Sequence, residues 1–161
     1  MIIPIGEITE EVYYNRSLGH SIVFTNGCFD LVHYGHVRLL NECCKYGDIV
    51  VVGVNSDDSI RRLKGSRRPI FNEQHRLEVL DSLSAVDLLV LFDEDTPDEL
   101  IKVIWPDVLV KGGEYRKEEI VGADFVERCG GKVIQFPMIE GISTTMILER
   151  VTSGADSVQL L

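Results

Sequence analysis

Five short apolar runs recur along the chain at Ser21–Thr25, Ile49–Asn55, Leu88–Phe92, Val108–Lys111 and Lys132–Phe136, with helical patterns between them. Runs this continuous in Val, Ile, Leu and Phe suit strands covered on both faces, the condition of a parallel sheet flanked by helices. The stretches between them have helical starts and stops. Gly35–Tyr46 spaces Val37, Leu39, Leu40, Cys43 and Cys44 at helical intervals before Gly47 as its C-cap. Asn72 caps a helix through Ser84, with Leu77, Leu80 and Leu83 facing inward. Thr96-Pro97 begins a helix that Trp105-Pro106 ends, Lys117–Arg128 is closed by Gly130-Gly131, and Ser143-Thr144-Thr145 opens a last helix through Val151. This order, with right-handed crossovers, predicts an α/β doubly wound parallel sheet. Its ligands should sit outside the carboxyl ends of the strands, where the strand order reverses. With 161 residues the chain suits one domain: residues 1–20 read as a helical N-terminal appendage, 21–151 as the core and 152–161 as a weakly patterned tail.

Sixteen Lys and Arg against twenty-six Asp and Glu give a formal charge of −10, which opposes binding to nucleic acid or anionic lipid. No window approaches the length of an apolar membrane span, and Glu7, Glu10 and Glu11 interrupt any signal-peptide pattern, so a cytoplasmic protein is expected. The four cysteines include the adjacent pair Cys43-Cys44 and no C-x-x-C, which argues for reduced thiols rather than a disulfide framework or zinc knuckle.

The chemistry is concentrated in Asn26-Gly27-Cys28-Phe29-Asp30-Leu31-Val32-His33-Tyr34-Gly35-His36, directly after the first of the five runs. A buried strand leading through a glycine turn into a helix places free backbone N–H groups and the positive end of the helix dipole together, a setting that holds phosphate. His33 and His36, three apart, share one face of that turn. Zinc coordination by the pair is the weaker reading, because such sites want three or four ligands and no further ligand spacing supports them. A triphosphate site in an acidic chain also needs local cations. Arg61-Arg62-Leu63-Lys64-Gly65-Ser66-Arg67-Arg68-Pro69 supplies five of the sixteen, unless it is only a solvated basic loop.

Residues 27–36 resemble the signature of the cytidylyltransferase-like nucleotidyltransferases, which join a nucleoside monophosphate from an NTP to a phosphorylated small molecule. Glu140-Gly141-Ile142-Ser143-Thr144-Thr145 resembles that family's second signature, though alone it would be an ordinary N-cap. Thr25-Asn26-Gly27, Val54-Asn55-Ser56-Asp57, Arg62-Leu63-Lys64-Gly65, Phe92–Pro97 and Pro106–Tyr115 together are similar to the heptose 1-phosphate adenylyltransferases, over about Ser21 to Val151. A typical cytidylyltransferase has an arginine two positions before the acidic residue of the second signature, where this chain has Met138.

The resemblance implies a Rossmann-like nucleotidyltransferase of the stand-alone form. It would transfer AMP from ATP, with Mg²⁺, to D-glycero-β-D-manno-heptose 1-phosphate, giving a precursor of bacterial surface glycans; transfer of CMP to another phosphorylated sugar or polyol is the alternative. It implies catalytic roles for His33, His36, Lys64 and Arg76, and no metal held by the protein itself. Nucleotide contacts fall to Thr25, Asn26, Gly27, Cys28, Phe29, Gly35, Lys111, Gly112, Ser143, Thr144 and Thr145, and substrate contacts to Asp30, Asn55, Arg68 and Glu114. The expected partners are small molecules and, in a homodimer, a second copy of the chain. Two readings stay open on the residues alone: Arg76 facing phosphate or pairing with Glu73 or a neighbouring carboxylate on an exposed face, and Asp93-Glu94-Asp95 reading sugar hydroxyls or holding a metal, or complementing a helix start. A nucleotide-sensing module without turnover also remains open.

Overall fold

The computed structural model describes residues 1–155. Its elements, in chain order, are β1 (Ile2–Ile3), α1 (Ile8–Ser17), β2 (Ile22–Gly27), α2 (Tyr34–Cys43), β3 (Ile49–Asn55), α3 (Asp57–Lys64), α4 (Glu73–Asp81), β4 (Leu88–Phe92), α5 (Asp98–Ile104), β5 (Val108–Gly112), a 3₁₀ turn (Lys117–Glu119), α6 (Ala123–Arg128), β6 (Lys132–Phe136) and α7 (Thr144–Ala155). The six strands form one sheet in the order β1-β4-β3-β2-β5-β6, and every pair is parallel. The chain winds outward from β2 through β3 to β4, then returns to the other side of β2 for β5 and β6. The strand order therefore reverses between β2 and β5, and a crevice opens beyond their carboxyl ends.

Successive strand residues point to opposite faces, which explains why the runs are apolar throughout. Phe24, Val51, Val90 and Leu109 pack with Ile8 and Val12 of α1, Ile101 and Ile104 of α5 and Val126 of α6. Val23, Val52, Leu89 and Val110 face the other way, against Leu39, Leu40 and Cys43 of α2 and Leu77 and Leu80 of α4. The doubly wound parallel sheet expected from the pattern is the fold observed.

Several boundaries differ from expectation. Residues 1–20 do include a helix, but β1 pairs with β4 and Ile8 and Val12 are buried, so this segment completes the sheet and one core layer. A two-residue strand leaves no periodicity to read. Helix α3 was missed within the segment read as a basic loop because only Ile60 and Ser59 are buried on it. Its legible signs were polar: Ser56 accepting from Ser59 N–H, Asp57 and Asp58 in the first turn, and Arg61, Arg62 and Lys64 in the last.

The stretch expected as a helix over 117–128 is split. Gly122 sits at φ +82° where a Cβ would come within 2.6 Å of the Ile101 side chain, so the chain turns there before α6 starts. Helix α2 stops at Cys43 with Cys44 as C-cap rather than at Gly47, and α4 stops at Asp81 rather than Ser84. Pro97 is the cap residue of α5, not its first turn. Helix α7 runs past Val151 to Ala155, so the expected tail begins as helix; residues 156–161 lie outside those described.

Candidate active site

A cleft of about 800 Å³ lies at the reversal of strand order, lined by the ends of β2 and β5, the start of α2, the end of α3 and the segment entering α7. The chain leaves β2 at Gly27 and makes two left-handed turns, at Phe29 (φ 47°) and Leu31 (φ 53°). Such φ values strain bulky residues, and the surrounding contacts hold them. Phe29 is buried, and the Asp30 carboxylate accepts from the backbone N–H of Ile70 (2.9 Å) and of Phe71 (3.1 Å). Thr144 Oγ1 donates to the Asp30 carbonyl at 2.8 Å, which ties the start of α7 to the same loop.

His33 is the N-cap of α2, and the two imidazoles form a reciprocal cap. Gly35 N–H donates to His33 Nδ1 at 3.1 Å, and His33 N–H donates to His36 Nδ1 at 3.3 Å. The rings stack with centroids 3.9 Å apart and planes 24° from parallel. A ring nitrogen that accepts from backbone carries no hydrogen, so in the neutral rings the hydrogen sits on Nε2. A Cβ on Gly35 would fall 3.0 Å from the His33 ring, so the glycine is what allows the imidazole to lie against the helix end. Burial, with help from His33 and Lys64 and against Asp30, pushes His36 down to about 4; burial also lowers His33. Both imidazoles are therefore neutral N–H donors near pH 7, beside the free amides of α2.

This lowered value has a measurable consequence. The His36 ring resonances should titrate near pH 4 rather than near the ordinary 6.5. Because the folded value lies below the unfolded one, the unfolded chain takes up the extra proton between them. The stability that His36 contributes is complete above about 6.5 and is lost as the pH falls toward about 4. A ring midpoint near 6.5 would contradict the buried geometry.

The structure divides the expected site residues. His33, His36, Asn26, Gly27, Cys28, Phe29, Gly35, Asn55, Lys64, Arg68, Lys111, Gly112, Ser143, Thr144 and Thr145 line the cleft together. Thr25 does not: it is fully buried one residue earlier on β2, with its hydroxyl unpartnered. Glu114 is exposed and outside the lining, whereas its neighbours Gly113 and Tyr115 are in it. Asp30, expected to touch substrate, is 1% exposed and spends its carboxylate on backbone and on Arg68, whose Nε lies 2.7 Å away as an ion pair without an aligned N–H bond.

Arg76 pairs with a carboxylate, but with Asp57 and in the interior rather than with Glu73 on an exposed face. It is 1% exposed, and its guanidinium donates to the carbonyls of Phe71 (3.1 Å), Cys28 (2.6 Å) and Asn55 (2.8 Å) and to Asp57 Oδ1 (2.9 Å). It therefore holds the ends of β2 and β3 in place behind the cleft and presents nothing to a ligand.

The expected basic patch is mostly neutralised. Arg61 pairs with Asp57 and Asp58, Arg62 with Asp93 and Asp95, and Arg68 with Asp30. Asp93 and Asp95 of the acidic triplet thus anchor α3 through Arg62, a role outside the readings given for it. Lys64, at the end of α3, is exposed and reaches the cleft beside His36.

Of the far wall of the cleft, only Asp95 was among the candidates for a ligand contact. Asp95, Thr96 and Pro97 after β4, Tyr115, Glu119, Ile120 and Val121 after β5, and Phe136 and Met138 after β6 all line it. Asp95–Pro97 and Tyr115 lie in strings that carry the resemblance, whereas for Glu119, Ile120, Val121 and Phe136 strand ends facing one crevice were the signal.

Residues 24–150 match the cytidylyltransferase-like family model. The chain is 54% identical over 136 residues to the bifunctional protein HldE of Syntrophotalea carbinolica, covering 84% of this chain and 28% of that protein. It is 49% identical over 153 residues to the bifunctional protein HldE of Hyphomonas neptunium, covering 95% and 32%. This chain thus spans less than a third of the length of these relatives. Among solved structures, a lipopolysaccharide core biosynthesis protein from Thermoplasma volcanium superposes with a TM-score of 0.60 at 30% identity, covering 75% of this chain and 98% of that one. The pantoate-beta-alanine ligase of Francisella tularensis, solved with beta-gamma ATP and beta-alanine, shares the fold at a TM-score of 0.62 and 15% identity, covering 98% and 78%.

Proposed function

The chain belongs to the cytidylyltransferase-like family, and we propose that it transfers AMP from ATP to D-glycero-β-D-manno-heptose 1-phosphate, giving ADP-heptose and pyrophosphate for bacterial surface glycans. The stacked pair of neutral imidazoles at the start of α2 carries the nucleotidyl-transfer half of this reading. Similarity to the HldE proteins and to a lipopolysaccharide core biosynthesis protein supports the sugar half.

The reaction requires no general base. A sugar phosphate with a second pKa of about 6 is already a dianion at neutral pH. Its oxygen forms the new bond to the α-phosphorus, the bond from that phosphorus to the bridging oxygen breaks, and pyrophosphate leaves with the electron pair. The site's work is alignment and relief of the charge that builds during displacement. His33 and His36 donate from Nε2, the first amides of α2 and the Ser143–Thr145 start of α7 cradle the leaving phosphates, and Lys64 adds a cation at the rim. Among the described residues no three His, Cys, Asp or Glu side chains gather as a metal cage. Mg²⁺ would enter with ATP as part of the substrate and would supply charge neutralisation at the phosphates.

Lys64→Ala should lower kcat/KM by at least about 10-fold, or about 1.4 kcal/mol. Arg61→Ala should change it little, since Arg61 pairs with Asp57 and Asp58 on its own helix. Steady-state kinetics on both variants checks the contrast.

Four NTPs assayed against a panel of sugar and polyol phosphates, with pyrophosphate detection, test the assignment. ATP with the heptose 1-phosphate should exceed CTP with glycerol 3-phosphate by at least about 10-fold in kcat/KM. A preference for CTP would select the alternative, CMP transfer to another phosphorylated sugar or polyol. Nucleotide binding without pyrophosphate release would select the sensing module.

A further inference from the structure

Three cationic side chains line the cleft, Lys64, Arg68 and Lys111, and they differ in what neutralises them. Arg68 has Asp30. Lys64 stands beside His36 on the triphosphate side. Lys111 is mostly buried near the end of β5, and among the described residues its ammonium has one polar partner, the neutral Asn26 Oδ1 at 3.1 Å, and no carboxylate. Burial lowers its pKa. A desolvated ammonium with only an amide oxygen beside it is costly unless an anion arrives.

Strand alternation fixes the side from which that anion must come. Val110 packs toward α2 and α4, and Leu109 toward α1, α5 and α6. Lys111, next in register, falls on the Leu109 face. Asn26 likewise falls on the face of Phe24. The imidazole pair sits at the start of α2, which packs on the opposite face. The crevice thus has a cation on each side of the sheet edge: Lys64 with the imidazoles and helix starts on one, and Lys111 on the other. In-line displacement places the attacking and leaving oxygens on opposite sides of the α-phosphorus.

We propose that Lys111 binds the phosphate of the acceptor, the attacking group, and is a substrate-binding residue for the sugar phosphate rather than for the nucleotide. The assignment rests on the nucleotidyl-transfer reading above and deepens it. It also places the sugar toward the wall formed by Pro97 and Glu119–Val121.

Kinetics with both substrates varied, on wild type, Lys111→Met and Lys111→Gln, tests the proposal alongside calorimetric titration with a non-hydrolysable ATP analogue. The apparent KM for the sugar 1-phosphate should rise at least about 10-fold in both variants. The Kd for the analogue should stay within about 2-fold of wild type. Lys111→Met replaces a buried charge by an apolar chain of similar length and should not lower the melting temperature; Lys111→Gln keeps a polar partner for Asn26 if Met packs badly. Weakened analogue binding with unchanged acceptor KM would return Lys111 to the nucleotide and overturn the proposal, as would no change in either constant. If wild type releases no pyrophosphate with any acceptor, the functional reading fails. Titration of heptose 1-phosphate into the analogue-loaded proteins then decides Lys111 separately: equal binding to wild type and Lys111→Met overturns its role.

Discussion

Replacing His36 with alanine should lower kcat by about 10²–10³-fold, the scale for removing one preorganised donor from developing transition-state charge. The ring is held for that task before any substrate arrives: Nδ1 accepts from His33 N–H, the stacked His33 ring lies 3.9 Å away, and Phe29 packs at 5.2 Å. No reorganisation is then needed at the moment of transfer. His33 needs a more careful substitution, because its ring also caps α2 and alanine there would cost about 1 kcal/mol of stability in addition to any catalytic loss. Asparagine is among the best N-caps, so His33→Asn keeps an acceptor for Gly35 N–H while deleting the Nε2 donor. It should stay folded and lose turnover on the same scale as His36→Ala. Single-turnover rates at saturating ATP, with melting temperatures for both variants, check this. Near-wild-type turnover in both would remove the imidazoles from the mechanism.

The part of the site that could be read from the sequence is the part whose geometry is local. His33, Gly35 and His36 lie within one turn at the start of α2, so spacing alone brings the two rings together. The Ser143–Thr145 helix start is equally local. What could not be read depends on distant contacts. Asp30 lies inside the signature, yet its carboxylate faces Ile70 and Phe71, forty residues on. The charges of Arg61, Arg62 and Arg68 are countered by Asp57, Asp58, Asp93, Asp95 and Asp30, most of them from other elements, and a sequence shows the cations without their partners. The same limit applies to the fold. Five strands announce themselves by continuous apolar runs, whereas β1 exists only because β4 offers an edge for Ile2 and Ile3 to pair with.

Arg76 is where this difference has the largest effect on stability. Family resemblance points to catalysis, but the observed guanidinium is buried, with three backbone carbonyls and Asp57 as acceptors. Arg76→Leu should therefore destabilise the protein by about 3–5 kcal/mol, because it strips the buried carbonyls and Asp57 of their donor without supplying another. For a domain of this size that corresponds to a fall in melting temperature of roughly 10 °C. Arg76→Lys keeps the charge but loses the planar fork that spans the Cys28 and Asn55 carbonyls, so it should fall between wild type and Arg76→Leu. Those carbonyls belong to the ends of β2 and β3, which set the positions of the phosphate loop and Asn55. Turnover per folded molecule should thus decline in step with lost stability across the two variants. Denaturant midpoints and kcat measured well below each melting transition separate the possibilities. A 10²-fold loss of kcat in Arg76→Lys with an unchanged midpoint would make Arg76 a catalytic contact, and would mean that the cleft rearranges on binding nucleotide to expose it.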